Sequence, residues 1–236
     1  MGKDSGKLPE TAERAAAVAE FLEKVARAPA PGPAGGRGRL IFAMDATASR
    51  EPTWDRASKI QGEMFKATES LGGLDVQLVF YRGFGECKTS PWVSNAAALV
   101  RSMTAVLCLA GQTQIAKVLR HALAETKRQK VNALVFVGDC MEENVDELAQ
   151  LGGELGLLGV PCFLFHEGAD PIAARAFKEI ARLSHGAYCA FDAASAQQLK
   201  DLLSAVAVYA AGGRKALAHF GEKKGGLVLQ LTHQLR

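Results

Sequence analysis

Six short apolar runs, each of strand length, alternate along the chain with longer segments of helical periodicity. The clearest is "RLIFAMD" at 39–45, which is apolar through most of its length, a pattern typical of a strand buried on both faces. The other runs are "LDVQLVFY", "GECKTSPWV", "NALVFVGD", "VPCFLFHE" and "GAYCAFD". Strands separated by helices predict βαβ units, and therefore a three-layer α/β fold whose mostly parallel six-stranded sheet has helices on both faces.

One connection differs from the others. The link "YRGFG" between the second and third runs is too short to hold a crossover helix. We therefore expect the third strand to pair antiparallel with the second, at the edge of the sheet. The helices are predicted around 11–28, 52–71, 94–102, 113–129, 144–158, 170–186 and 195–211, with Gly186 placed to end the sixth of them.

The length and the Pro/Gly content predict one folded domain with a segment at each end. A chain of 236 residues can bury one sizeable core. The predicted boundaries are an N-terminal amphipathic helix in 1–28, a Pro/Gly-rich linker in 29–38, the α/β domain in 39–212 and a C-terminal extension in 213–236. The alternating leucines of "LVLQLTHQL" predict a short extra strand or a docking tail in that extension.

Composition argues against several classes of partner. The chain has 28 basic and 25 acidic residues and only 7% aromatic residues, which gives no basic surface interleaved with aromatics, so we expect no nucleic-acid partner. No apolar run approaches the roughly 20 residues of a membrane helix. The first segment lacks the uninterrupted apolar stretch of a secretion signal, and the five cysteines are scattered and odd in number. A reduced, cytoplasmic location is the expectation.

Polar side chains follow the strands where ligands are expected to bind. Asp45, Thr47 and Ser49 come at the end of the first strand, Asp139 follows the fourth, and Thr113 lies near the start of a helix. The carboxyl ends of parallel strands meet at one edge of the sheet, so these residues are predicted to gather there. Carboxylate and hydroxyl oxygens suit a hard divalent cation such as Mg²⁺.

These motifs resemble those of the von Willebrand factor A (vWA) domain family. "DATAS" is similar to the D-x-S-x-S motif of its metal-ion-dependent adhesion site (MIDAS), with Thr47 at the first serine position. Thr113 in "GQTQI" matches the threonine of the second motif, and Asp139 in "FVGDC" matches the aspartate after the fourth strand. The resemblance covers about 39–211. Thr47 in place of serine, and "GDC" in place of the more frequent "TDG", depart from the common form without removing a ligand.

The resemblance implies a doubly wound, Rossmann-like fold and a protein of the bacterial cytoplasmic type. It also implies a Mg²⁺ or Mn²⁺ ion held directly by Thr47, Ser49 and Thr113, with Asp45 and Asp139 acting mainly through bound water. A Glu or Asp carboxylate of a protein partner would complete the metal shell. The resemblance further implies a module that works inside an intracellular assembly and is not an enzyme.

Three other interpretations of the same residues stay open at this point. Thr47 and Ser49 are also suited to cap a following helix. Asp45 could be the nucleophile of a haloacid-dehalogenase-like phosphohydrolase, with Glu143 near its metal and Lys127 or Lys130 near its phosphate, although Thr47 stands where the general acid should be. Finally, the metal could be purely structural, with the partner held by the N-terminal helix or the C-terminal tail.

Overall fold

A six-stranded sheet forms the centre of the part of the chain that the structure describes. The computed structural model describes residues 11–28, 37–50, 64–65, 67–68, 73–191 and 196–224. The strands are β1 (Gly38–Asp45), β2 (Leu74–Arg82), β3 (Glu86–Thr89), β4 (Ala133–Gly138), β5 (Cys162–Glu167) and β6 (Ala187–Phe191).

The strand order places a change of direction at the middle of the sheet. The order is β3-β2-β1-β4-β5-β6, and every pair is parallel except β2 with β3, which is antiparallel at the edge. The predicted sheet and its antiparallel edge strand are therefore confirmed. From β1 the chain builds outward first to one side and then, beginning with β4, to the other. The carboxyl ends of β1 and β4 consequently flank the crevice in which doubly wound folds bind their ligands.

Helices cover both faces of the sheet, as predicted. They are α1 (Thr11–Arg27), α2 (Ala96–Thr104), α3 (Ile115–Arg128), α4 (Val145–Leu157), α5 (Pro171–Leu183) and α6 (Ala196–Lys224). One core cluster joins α1, α2 and α6 to one face, and a second joins α3, α4 and α5 to the other. Alternate side chains of β1 enter the two clusters, which is why its sequence is continuously apolar. Among the described helices none is long and apolar enough to cross a membrane.

The N-terminal helix α1 is part of the core. Phe21 is fully buried, and its ring lies 6.1 Å from that of Phe163 and 5.1 Å from that of Phe165 on β5. Arg214 of α6 donates hydrogen bonds to the carbonyl oxygens of Arg27 and Ala28 at the end of α1. Buried aromatic contacts of this kind contribute strongly to stability, so α1 is held in place by packing.

Parts of the predicted organisation lie outside the described residues. This applies to most of the linker, to most of the helix predicted over 52–71, and to the leucine-rich end from residue 225 onward. Residues 64, 65, 67 and 68 of that predicted helix are helical. The last helix is longer than predicted, because α6 continues to Lys224 past a kink at Gly213, where φ is 69°. The predicted domain boundaries remain predictions.

The end of α5 differs from its prediction in one residue. The left-handed position that closes the helix is His185, with φ 58°, and not Gly186. The N–H of Gly186 donates to the carbonyl oxygen of Ala181, and that of His185 donates to Arg182, which is the Schellman arrangement. Gly186 is needed for a different reason: a Cβ there would lie 1.9 Å from the carbonyl oxygen of Cys162.

Glycine at position 185 is expected to stabilise the protein. A residue with a Cβ pays a steric penalty in the left-handed region that glycine avoids, so His185→Gly should raise the free energy of unfolding by roughly 0.5 to 1 kcal/mol. Denaturant unfolding measures this change. His185→Ala is the matched control, because it removes the same side chain and keeps the penalty. A gain of equal size in both variants would show that the side chain, and not the backbone, is responsible.

Candidate metal centre

Asp45 and Asp139 lie on the two strands that flank the central crevice. Asp45 is the last residue of β1 and is fully buried, while Asp139 directly follows β4 and is half-buried. One carboxylate oxygen of each lies within 4.8 Å of the other. The adjacent parallel strands β1 and β4 thus bring together, at one edge of the sheet, two acidic residues that are 94 positions apart in the sequence.

Hydroxyl side chains connect the two acidic residues. Asp45 Oδ1 accepts the backbone N–H of Thr47 at 2.7 Å, which fixes the tight loop after β1. The hydroxyl oxygens of Thr47 and Ser49 are 3.3 Å apart, and Ser49 Oγ donates to Asp139 Oδ2 at 2.7 Å. The Ser49 hydroxyl is therefore directed at the acidic residue across the crevice. These four predicted site residues form one hydrogen-bonded cluster.

Thr113 is held against the loop that carries Asp139. Its hydroxyl oxygen accepts the N–H of Glu142 at 3.0 Å, and its own N–H donates to Glu142 Oε2 at 3.2 Å. The next residue of this loop, Glu143, accepts the N–H groups of Ile115 at 2.5 Å and Ala116 at 2.9 Å. A carboxylate at these positions satisfies free donors and complements the positive end of α3. The loop after β4 therefore fixes the segment in which Thr113 lies.

A second connection reaches the same segment from the strand ends. Residues 106–114 cross over β1 and β2, where the N–H of Leu109 donates to the carbonyl oxygen of Ala46 at 3.0 Å. The N–H of Gln112 donates to the carbonyl oxygen of Gly83 at 3.1 Å. The backbones approach so closely that a Cβ on Gly111 would lie 2.0 Å from that same oxygen. Glycine at this position is a requirement of the loop's path.

A thiol completes the group of potential ligands. Cys140 Sγ lies within 4.8 Å of a carboxylate oxygen of both Asp45 and Asp139. Burial, together with the charges of these two carboxylates, raises the pKa of Cys140 to about 12, with Asp139 acting more strongly than Asp45. Cys140 is not among the residues predicted from the sequence, where scattered cysteines indicate small buried hydrophobes. Its position directly after Asp139 is the signal that could have identified it.

The buried side chains of His166 and Tyr81 lie next to the acidic residues. His166 Nε2 lies 3.1 Å from the backbone carbonyl oxygen of Asp139, to which it donates, and Nδ1 lies 3.0 Å from the Tyr188 hydroxyl. Burial raises the pKa of Tyr188 to about 12, so its hydroxyl stays protonated and can donate to Nδ1. On the other strand, burial and the neighbouring Asp45 raise the pKa of Tyr81. Both tyrosines stay neutral around the site.

Two of the residues that the phosphohydrolase alternative would use, Glu143 and Lys130, make structural contacts. Both carboxylate oxygens of Glu143 accept backbone N–H groups of α3. Lys130 Nζ donates to the carbonyl oxygens of Leu158 and Gly159, which precede β5 at the opposite edge of the sheet. These contacts give Glu143 and Lys130 structural functions, and those of Lys130 lie at the other edge of the sheet.

Comparisons with known proteins yield structural relatives only. No protein-family model matches the sequence, and no curated protein matches it. Among solved structures, a von Willebrand factor type A protein from Catenulispora acidiphila has a TM-score of 0.58 at 14% identity, covering 74% of this chain and 43% of that chain. The vWA domain of SpRpn10 has a TM-score of 0.55 at 12% identity, covering 71% and 94%.

A third relative was solved with a metal in its site. Proximal thread matrix protein 1 from the mussel byssus, with a zinc-occupied MIDAS motif, has a TM-score of 0.57 at 15% identity, covering 78% of this chain and 46% of that chain. This chain spans less than half the length of the mussel and Catenulispora proteins, and nearly all of the SpRpn10 domain. Identities this low establish a shared architecture. The chain has the fold of a von Willebrand factor A domain.

Proposed function

We propose that this chain is a vWA domain of the MIDAS type that binds a protein partner through a divalent metal ion. The metal would be Mg²⁺ or Mn²⁺, held by Thr47, Ser49 and Thr113, with Asp45 and Asp139 acting mainly through bound water. A Glu or Asp of the partner would supply the remaining oxygen. The module acts without catalysis, in the cytoplasm, within an intracellular assembly.

The observation that carries this proposal is the cluster at the crevice between β1 and β4. Two carboxylates within 4.8 Å repel each other, and a cation between them removes that repulsion. Asp139 Oδ1 is buried and accepts no hydrogen bond from the described part of the chain, which is costly unless a ligand is bound. The hydroxyls of Thr47 and Ser49 add neutral oxygens. The donor set therefore fits a hard divalent ion.

Neutral direct ligands would leave the metal strongly electrophilic. Such an ion favours an additional anionic oxygen, and a carboxylate on another protein is the side chain that supplies one. In this role the residues of the chain position and orient the ion, while the Asp45 and Asp139 charges hold its water ligands. Thr47 occupies the position of the acid that a phosphohydrolase would use, and a threonine hydroxyl cannot protonate a leaving group.

Exposed apolar side chains favour a protein as the partner. Six large apolar side chains are exposed in the described part of the chain, and four of them lie at the edge of the sheet that carries the site. They are Phe84, Leu107, Leu109 and Ile172, with exposures of 84%, 71%, 46% and 61%. Exposed apolar groups rimmed by polar residues are typical of protein-binding surfaces. A partner segment with an acidic residue between apolar neighbours would match this surface.

Capture of partners from a lysate tests the proposal. Tagged wild type and Asp45→Ala are compared in the presence of Mg²⁺ and in the presence of a chelator. A partner that depends on the metal-bound carboxylate should be retained by wild type with Mg²⁺ and lost both on chelation and in the variant. Retention of the same partners in all four samples would contradict the proposal, and would favour a structural metal with the partner bound elsewhere.

A further inference from the structure

Cys140 belongs to neither of the two hydrophobic core clusters. Cys162 and Cys189 are buried in the two core clusters, whereas Cys140 is half-buried at the edge of the sheet, in the loop of the proposed metal site. Its Sγ is within 4.8 Å of a carboxylate oxygen of Asp45 and one of Asp139. A thiol within 4.8 Å of two carboxylate oxygens is not in the apolar surroundings that a cysteine acting as a hydrophobe prefers.

The same loop contains an oxygen that lacks a donor. Asp139 Oδ1 is buried and has no hydrogen-bond partner among the described residues, while Oδ2 accepts the Ser49 hydroxyl. A carboxylate oxygen in this condition, next to a second carboxylate and a thiol, points to a cation bound among the three groups. Two carboxylate oxygens and one sulfur also leave a fourth position open, as in zinc sites with three protein ligands.

We propose that Cys140 is a further ligand of this site and directs it toward borderline-soft ions such as Zn²⁺ and Co²⁺. The proposal rests on the proposed metal site and adds sulfur to its oxygen ligands. Thiolate sulfur selects zinc over the hard ions Mg²⁺ and Mn²⁺, for which oxygen ligands suffice. Binding through sulfur replaces the thiol S–H bond with a metal–sulfur bond and releases one proton to solvent.

The consequence is a site with two modes of occupation. The hard ions would bind through the oxygens alone, and their affinity would not depend on Cys140. Zn²⁺ and Co²⁺ would bind through the same carboxylates and the sulfur, with higher affinity. The identity of the bound ion would then depend on which metals are available, because the carboxylates are common to both modes.

Cobalt spectroscopy and a single substitution test this proposal. Co²⁺ added to the wild-type chain should produce the near-ultraviolet charge-transfer absorption of a cobalt–thiolate bond, and Cys140→Ser should abolish that band. The serine variant should lose Zn²⁺ affinity by at least roughly 100-fold, the upper end of the loss for an outer-shell group, and keep its Mn²⁺ affinity within about threefold. Cys87→Ser, at a half-buried thiol on β3, is the matched control and should retain the band.

The outcomes separate this proposal from the one on which it rests. Binding of Co²⁺ without the charge-transfer band, or equal Zn²⁺ affinity in wild type and Cys140→Ser, would overturn the role of Cys140 and leave an oxygen-ligated site intact. Failure of Mn²⁺, Co²⁺ and Zn²⁺ alike to bind the folded wild-type chain would overturn both proposals.

Discussion

Replacing Asp139 with asparagine is expected to remove about half or more of the stabilisation by Mn²⁺ while leaving the metal-free protein at least as stable as wild type. Asparagine keeps the size of the side chain and an oxygen that can accept a hydrogen bond from the Ser49 hydroxyl. In the wild-type chain this hydroxyl donates to Asp139 Oδ2 at 2.7 Å. It removes one of two adjacent negative charges, which relieves repulsion with Asp45 when no metal is bound. The same change removes charge that the metal needs. The substitution should therefore raise the stability of the metal-free protein and lower the additional stability that the bound metal provides.

The size of the stabilisation by bound metal is set by mass action. A metal present at about 100 times its Kd stabilises the native state by about 2.7 kcal/mol, and the thermal midpoint rises accordingly. Asp139→Asn removes a charge that holds the water ligands of the ion, and the roughly 10- to 100-fold loss of affinity typical of an outer-shell partner would reduce this stabilisation to about 1.4 to 0.4 kcal/mol. Thermal unfolding with and without Mn²⁺ provides both quantities.

Asp146→Asn is the matched control for this experiment. Asp146 is exposed in the first turn of α4, away from the cluster, and the substitution is chemically the same. This control should respond to Mn²⁺ as wild type does. An equal response in Asp139→Asn would contradict the metal site. A large loss of stability in metal-free Asp139→Asn would show that the carboxylate is held by contacts within the chain and not by repulsion that a metal relieves.

The second large effect is expected at Gly111. A Cβ there would lie 2.0 Å from the carbonyl oxygen of Gly83 and 2.3 Å from its carbonyl carbon, and both of these are backbone atoms. The backbone of Gly83 also accepts the N–H of Gln112, so separation of the two loops breaks a hydrogen bond. Gly111→Ala should therefore lower the free energy of unfolding by about 1 to 3 kcal/mol, as overpacking typically does.

The same substitution should weaken metal binding, because Thr113 lies two residues further along this loop. Gly153→Ala is the matched control: a Cβ at Gly153 in α4 has nothing within 4 Å, and alanine in a helix is favoured over glycine by about 1 kcal/mol. Denaturant unfolding should show opposite changes for the two variants. Wild-type stability and wild-type Mn²⁺ affinity in Gly111→Ala would mean that the loop path is not fixed as described.

The fold could be predicted to a large extent because its determinants are local. The continuous apolar sequence of β1 indicates burial on both faces, and the structure places its alternate side chains in two core clusters. The short link after β2 requires an antiparallel neighbour. The packing of Phe21 against Phe163 and Phe165 could not be predicted, because a contact between segments more than a hundred residues apart leaves no local periodicity.

The end of α5 is a second feature that could not be predicted from the sequence. A glycine after a helix is the usual left-handed closing residue, yet here His185 takes that conformation and Gly186 is reserved for close contact with Cys162. Two requirements compete for one glycine, and only the three-dimensional approach of β5 decides between them. For α6, the glycine pair at 212–213 suggests an end, whereas the chain bends at Gly213 and continues as helix.

In the candidate site, too, some residues could be predicted from the local sequence and others depend on distant contacts. Asp45, Ser49 and Asp139 could be placed together from the sequence because parallel strands end at a common edge. The contributions of Glu143 and His166 could not, since each depends on how a loop turns back on the sheet. Glu143 binds the start of α3, and His166 supports Asp139 through a backbone carbonyl. Such roles have no sequence pattern of their own.

The most direct test of the central claim is a calorimetric titration of the metal-free wild-type chain with Mn²⁺. We expect one bound ion per chain, displaced by chelator, and no binding in Asp45→Ala when that variant is shown to be folded by circular dichroism. A wild-type chain that is folded and binds no Mn²⁺ at millimolar concentration, or an Asp45→Ala chain that binds it with unchanged affinity, would contradict a metal site at the crevice between β1 and β4.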